Sequence, residues 1–299
     1  HMHTMYVTQT LPKIGTGKLF YDDFGNGVAV GWAQNLGTWS VMDSEYFTTM
    51  GIVEDGISTV DNLSLANCVI QTKLRFKDTS DGFRAGIVFR YSDNKHYSLE
   101  LSNEYDKVEF HKYAGPGLGT VGVSIDYPIH PNVDYDLRVE IYGETFTGFL
   151  NGEKILSWTE GEYERGKVGL RGRNADVFFD DFKVYKNKML LIANLQPRQK
   201  VELYDSRNVL KASDRVREGE NQAILNVSGL AFPQEGHFKL YAPDEATPLY
   251  TTLPYEIWGG DEYSGNIVEV IGNDRTRHVT NVTGWMSFKY KALAVGRIS

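Results

Sequence analysis

The sequence predicts an all-β protein, and three observations carry that prediction. From Leu19 onward, short runs of alternating apolar and polar residues recur about every ten residues, separated by Gly, Asn and Asp. Aromatic residues make up 13% of the 299, with 30 Gly and only 9 Pro, a balance that suits many short strands joined by tight turns. Helical spacing of apolar residues is nearly absent. A β-sandwich is the architecture that this pattern favours.

Taken in order, the strands expected first are Thr38 to Met42, Cys68 to Phe76, Ala85 to Tyr91, Tyr97 to Ser102 and Lys107 to Tyr113. Tyr135 to Tyr142 and Thr145 to Leu150 follow. Asn151-Gly152 then separates Thr145 to Leu150 from Ile155 to Trp158, and such a pair accepts the positive φ of a type I′ hairpin turn. Ala175 to Tyr185 alternates strictly and reads as a closing strand. Beyond Tyr185 the composition changes, which sets a boundary near residue 187. Residues 208 to 218 carry Val209, Leu210, Ala212 and Val216 at a spacing open to a helix, but a β-meander between two strand runs fits them better. The resulting division is 1–17, an N-terminal segment whose His1-Met2 reads as a cloning scar; 18–186, a large sandwich; 187–257, a small sandwich; and 258–299, an extension. In that extension Ile267 to Ile271 and Met286 to Val295 could add strands or pair with a neighbouring chain.

The bulk numbers exclude some classes. A formal charge of −8 and a pI near 5.4 give no electrostatic reason to expect nucleic acid, which needs clustered Lys and Arg to displace its counterions. No run approaches the roughly 20 apolar residues of a membrane span. Neither nucleic acid nor membrane is therefore an expected partner. Cys68 is the only cysteine, so no intrachain disulfide forms, and its apolar surroundings suit an inert core thiol.

Several segments carry a family resemblance. Phe20-Tyr21-Asp22-Asp23-Phe24, Gly37-Thr38-Trp39-Ser40-Val41, Gly86-Ile87-Val88-Phe89-Arg90-Tyr91 and Phe179-Asp180-Asp181-Phe182-Lys183-Val184 together resemble the concanavalin A-like, laminin G-like jelly rolls. In particular they resemble the 3-keto-disaccharide hydrolase-like and levan-binding-module-like domains. The resemblance implies two packed antiparallel sheets over residues 18–186, first and last strands adjacent, and glycan binding on a concave face or a loop-lined edge. It implies little about catalysis, because fold does not fix function.

Side-chain alternation gives the first candidate site. With Ile87, Phe89 and Tyr91 on one face, Arg90 points to the other; Leu99 and Leu101 inward leave Glu100 outward; Val108 and Phe110 inward leave Glu109 and His111 outward. If these strands are neighbours, Arg90, Glu100, Glu109 and His111 share a face, and Tyr91, Tyr97 or Tyr113 would supply aromatic surface for a glycan. The alternative is a salt-bridged, solvated sheet face. Asp22, Asp23, Asp180 and Asp181, on the expected first and last strands, offer several oxygens to one calcium ion; otherwise they cap strands or meet Arg and Lys.

Glu104, Asp106 and Glu109 form an E-x-D-x-x-E run that resembles the signature of laminarinase-type endoglucanases. The turn composition of residues 102–106 argues against it, since that chemistry needs carboxylates projecting together from one strand. The reading favoured by these features is a non-catalytic glycan-recognition protein of an extracellular, cell-surface or phage-tail (virion) setting. A glycoside hydrolase using Glu100, Glu104 or Glu109 is the enzymatic alternative. A structural protein, forming homo-oligomers through the segment from Gly259, is the third.

Overall fold

The computed structural model describes residues 5–48, 55–77, 84–174, 176–265, 267–271, 277–281 and 296–298. Among them every regular element is a β-strand. The chain divides into two compact units, Leu19–Tyr185 and a discontinuous one made of the residues up to Lys18 and from Lys186 onward.

The Leu19–Tyr185 unit is a two-sheet sandwich. Its seven-stranded sheet runs Gly119–Asp126, Lys107–Tyr113, Lys95–Ser102, Arg84–Ser92, Gly166–Arg173, Asp55–Leu65 and Trp32–Leu36. The other sheet runs Glu153–Thr159, Thr145–Leu150, Tyr135–Tyr142, Cys68–Phe76, Val177–Tyr185, Glu45–Thr48 and Trp39–Met42, with Lys18–Asp22 paired to Val177–Tyr185. The expected adjacency of first and last strands is therefore present. Asn151 and Gly152 both hold positive φ, 51° and 86°, as the hairpin between Thr145–Leu150 and Glu153–Thr159 requires.

Alternation builds the core. Ile87, Leu99, Leu101, Val108, Phe110 and Leu170 from one sheet meet Ile70, Leu74, Leu137, Val139, Phe179 and Val184 from the other, all buried. Each such side chain contributes about 1.5–3 kcal/mol by leaving water. At one end Trp32 gathers Phe20, Phe24, Tyr46 and Phe182 within ring-centroid distances of 4.8–5.8 Å. Cys68 lies in this core, and burial pushes its thiol up to about 12. Iodoacetamide at about pH 8 is accordingly expected to spare the folded chain and to modify the urea-unfolded one stoichiometrically; alkylation of folded protein would contradict this placement.

The discontinuous unit corrects the expected division of the chain. Lys13–Gly15 pairs with Glu262–Ser264, which runs parallel to Met189–Ala193, and Ala223–Asn226 completes that sheet. A second sheet holds Leu210–Arg215, Lys200–Asp205, Gln234–Tyr241, Pro248–Thr251 and Tyr255–Ile257. Residues 208–218 thus contain a strand rather than a helix. Described residues from both segments read as flanking are integral here: Met5–Gln9 sits between Ile267–Ile271 and Gly296–Ile298. The physical tie is buried Asp261, which accepts hydrogen bonds from the Gly17 and Trp258 amides and from Lys13 Nζ. Ile267–Ile271 forms the expected strand, with partners inside this chain; Met286 to Val295 lies outside the described residues.

Candidate functional site

The outward face of the seven-stranded sheet is polar at its centre, and strand register explains why. Glu100 stands directly opposite Glu109, and Ser98 opposite His111. On the other side Glu100 faces Gly86, which in turn faces Arg171. Gly86 is required there, since an added Cβ would come within 1.9 Å of Leu99 O. Its missing side chain also leaves an open lane, across which Arg171 Nη1 reaches Glu100 Oε1 at 2.8 Å. Arg171 Nη2 meets Asp55 Oδ1 at 2.7 Å, Ser98 Oγ donates to Glu100 Oε1 at 2.5 Å, and His111 Nε2 lies 3.0 Å from Glu109 Oε2.

A ring stack completes the face. Tyr113 stacks nearly parallel to His96, at 4.6 Å, and to His111, at 5.7 Å, with the Arg171 guanidinium 4.3 Å from its centroid. Arg84 sits at the edge, its Nε 4.0 Å from Glu109 Oε2 and its guanidinium over the exposed Tyr105 ring.

Burial sets the electrostatics. Arg171 and Glu100 are both 0% exposed. Burial alone would raise the Glu100 carboxyl, but the Arg171 guanidinium, then His111 and the Ser98 hydroxyl, hold it at about 2. His96 goes down to about 4, chiefly because burial disfavours its charged form and secondarily because Arg171 is near. A neutral imidazole whose Nδ1–H points to Asn94 O, at 3.3 Å, presents Nε2 as an acceptor. Burial also pushes the Tyr113 phenol up.

Six buried polar atoms on or beside this face have no hydrogen-bond partner among the described residues: Arg84 Nε, Arg171 Nε, His96 Nε2, Glu100 Oε2, Ser102 Oγ and Tyr113 Oη. Buried groups of this kind are rare because each costs about 1–3 kcal/mol. They comprise two donors, two acceptors and two hydroxyls that can act either way.

Of the residues expected from the sequence, Glu100, Glu109, His111 and Tyr113 come together here. Tyr91 is half-buried at the rim, its ring 5.7 Å from His96. Arg90 does not belong to the face. It has φ of 52°, and pairing shifts by one residue around it on both neighbouring strands, so a bulge reverses the expected alternation. Arg90 instead turns to the end of the sandwich, 3% exposed, and donates to the carbonyls of Tyr163, Ala66 and Gly143. Tyr97 also departs from expectation: it is buried in the core against Phe89, Phe146 and Trp158. Its parity is that of Leu99 and Leu101, so it could not share a face with Glu100.

Arg171, Arg84, His96 and Asp55 were missed. The signal for Arg171 was present in Lys167-Val168-Gly169-Leu170-Arg171, where Val168 and Leu170 inward put Arg171 outward. Glu104 is exposed in the turn after Ser102, and Asp106 there accepts the Ile129 amide, so neither projects with Glu109 from one strand.

The four aspartates near the first and last strands are engaged within the chain. Asp22 accepts from the Phe24 amide and Trp32 Nε1, Asp23 from the Gly25 amide, Asp180 from the Asp181 amide, and Asp181 pairs with Lys183. Asp181 and Asp23 flank Tyr21, whose phenol goes up to about 12 through burial and then their charges. Among the described residues no group of three such side chains is arranged to hold a metal ion.

Residues 64–164 match the family described as the beta xylosidase C-terminal concanavalin A-like domain. No curated protein matches the chain. Among solved structures, the chain is similar to the carbohydrate binding module CBM66 from Bacillus subtilis, at 20% identity and a TM-score of 0.49, over 52% of this chain and 96% of that one. It is similar to the Bacillus licheniformis beta-glucanase at 12% identity and a TM-score of 0.44, over 58% and 100%. Similarity to the GH43 BlXynB protein from Bacillus licheniformis is 17% identity with a TM-score of 0.45, over 58% of this chain and 40% of that one. With the family match lying inside a sandwich of two packed antiparallel sheets, the Leu19–Tyr185 unit is a concanavalin A-like jelly roll.

Proposed function

We propose that this protein recognises a glycan without cleaving it, through the polar face of the seven-stranded sheet, in an extracellular, cell-surface or phage-tail setting. The observation that carries the reading is the set of six unpartnered buried atoms on and beside that face. Sugar hydroxyls donate and accept at once, so a polyol can satisfy donors, acceptors and hydroxyls held side by side. Asp55, Glu100 and Glu109 offset Arg84, Arg171 and Arg173, which favours an uncharged ligand. The centre is closed, and exposure on this face rises toward Arg173 and Tyr105 at its rim.

Tyr113→Phe and Ser102→Ala test this directly, because each removes a hydroxyl that no described group of the protein uses. Both variants are expected to keep or slightly raise the melting temperature while weakening binding on a glycan array about fivefold to tenfold each. Undiminished binding in both, or no glycan bound by the unaltered chain, would sink the reading.

A second reading, glycoside cleavage, rests on one feature: Glu100 and Glu109 are directly opposed on adjacent strands, where Cβ atoms stand about 4.5–5.5 Å apart. Such a pair is close enough for the two-carboxylate chemistry of retaining enzymes. Against it, Glu100 is committed to Arg171. Release of reducing sugar from a polysaccharide panel, abolished by Glu109→Gln, would favour cleavage over recognition.

A further inference from the structure

The other sheet of the jelly roll carries a separate recess on its outward face. A cleft of about 130 Å³ is lined by Glu45, Lys73, Leu74, Arg75, Asp134, Phe178 and Asp180. Register assembles it: Phe178 stands opposite both Phe47 and Arg75, and Asp180 opposite Lys73. Arg75 is held in place by Glu45 at 2.6 Å and Asp134 at 3.4 Å, with its guanidinium 4.9 Å from the Phe178 ring.

Two features set this recess apart from an ordinary solvated sheet face. Phe47 and Phe178 form an outward-facing aromatic pair at 4.6 Å, where alternation would normally place polar residues. The last strand also bulges at its rim: Asp181 has φ of 54° and the pairing shifts between Asp180 and Lys183. Bulges re-aim side chains beside binding sites. Burial raises both Glu45 and Asp180, as expected of carboxylates in a partly dry cleft.

We propose that this cleft holds one ring of a neutral saccharide, a second contact site on the sheet opposite the polar face. Its volume suits a single sugar ring rather than a larger ligand, for which pockets run from about 300 Å³ upward. Phe178 offers an apolar surface to the C–H face of the ring, while Arg75 and Lys73 donate and Glu45 and Asp180 accept. Three carboxylates against two cations repel phosphate, sulfate or a uronate. This cleft shares no residue with the polar face and would bind its ring independently of it.

The test is a titration of the ¹⁵N-labelled full chain with methyl β-D-glucopyranoside, methyl β-D-xylopyranoside and, as the anionic control, sodium glucuronate. At least one neutral glycoside is expected to shift the amides of residues 45–47, 73–75 and 178–180, saturably, by about 50 mM, as a site of millimolar affinity requires. Phe178→Ala should abolish the shifts, and the nearly isosteric Asp180→Asn should weaken them about tenfold. Tyr113→Phe should leave them intact, which separates this site from the polar face. Absence of shifts with both neutral glycosides, or equal shifts with glucuronate, overturns the proposal.

Discussion

Arg171→Met is expected to destabilise the jelly roll by about 3–5 kcal/mol at neutral pH, the usual cost of stripping one partner from a buried ion pair. Arg171 and Glu100 are wholly buried, and Arg171 also holds Asp55, so its loss strands a carboxylate that burial alone would force toward the protonated form. The pH dependence follows from the direction of the Glu100 shift. Its carboxyl is held at about 2 in the folded chain, below its unfolded value, so its contribution to stability is complete above roughly pH 5 and is lost as pH falls toward 2. The variant has no such contribution to lose, and its deficit relative to the parent should shrink over that window. Calorimetry of the full chain at pH 7 and at pH 3 measures both effects. Adding Glu100→Gln to Arg171→Met should recover much of the deficit, since a neutral amide leaves no stranded charge. A deficit below about 1 kcal/mol at pH 7, or one that grows on acidification, would mean that the pair does not organise this face.

Much of this face was legible in the sequence because alternation is a geometric rule with few exceptions. Glu100, Glu109 and His111 could be assigned outward from the apolar residues beside them, and neighbouring strands in a meander bring such residues together. Two things were not legible. The first is long-range pairing: Gly166–Arg173 lies beside Arg84–Ser92 although some eighty residues separate them, so Arg171 and Asp55 reach the site by topology alone. The second is a bulge, which changes the side on which every residue past it falls. Nothing in Gly86-Ile87-Val88-Phe89-Arg90-Tyr91 marks Arg90 as the irregular position, because arginine is not a residue that favours positive φ. The discontinuous unit hid for the same reason as Arg171. Met5–Gln9 and Lys13–Gly15 find their strand partners only after residue 261, beyond the reach of local pattern.

That irregular arginine carries the other large effect. Arg90 bonds three carbonyls in three different connections: Ala66 between Asp55–Leu65 and Cys68–Phe76, Gly143 between Tyr135–Tyr142 and Thr145–Leu150, and Tyr163 between Glu153–Thr159 and Gly166–Arg173. Its guanidinium also lies 5.0 Å from the Phe146 ring. Arg90→Ala leaves three part-buried carbonyls without their donor and is expected to cost about 2–3 kcal/mol, since the penalty of about 1–3 kcal/mol for a buried group left unsatisfied is reduced where water can reach it. Arg90→Lys should recover only part of that, because one ammonium on a flexible stem cannot reproduce a planar fork aimed at three oxygens. Arg90→Gly separates the contacts from the backbone: it loses the same hydrogen bonds but accepts φ of 52° without strain, so it should be about 1 kcal/mol more stable than the Ala variant. Urea unfolding of the four proteins would rank them parent, Lys, Gly, Ala. An Ala variant within 1 kcal/mol of the parent would show that the three connections hold their positions without Arg90, and Gly equal to Ala would show that the bulge stores no strain.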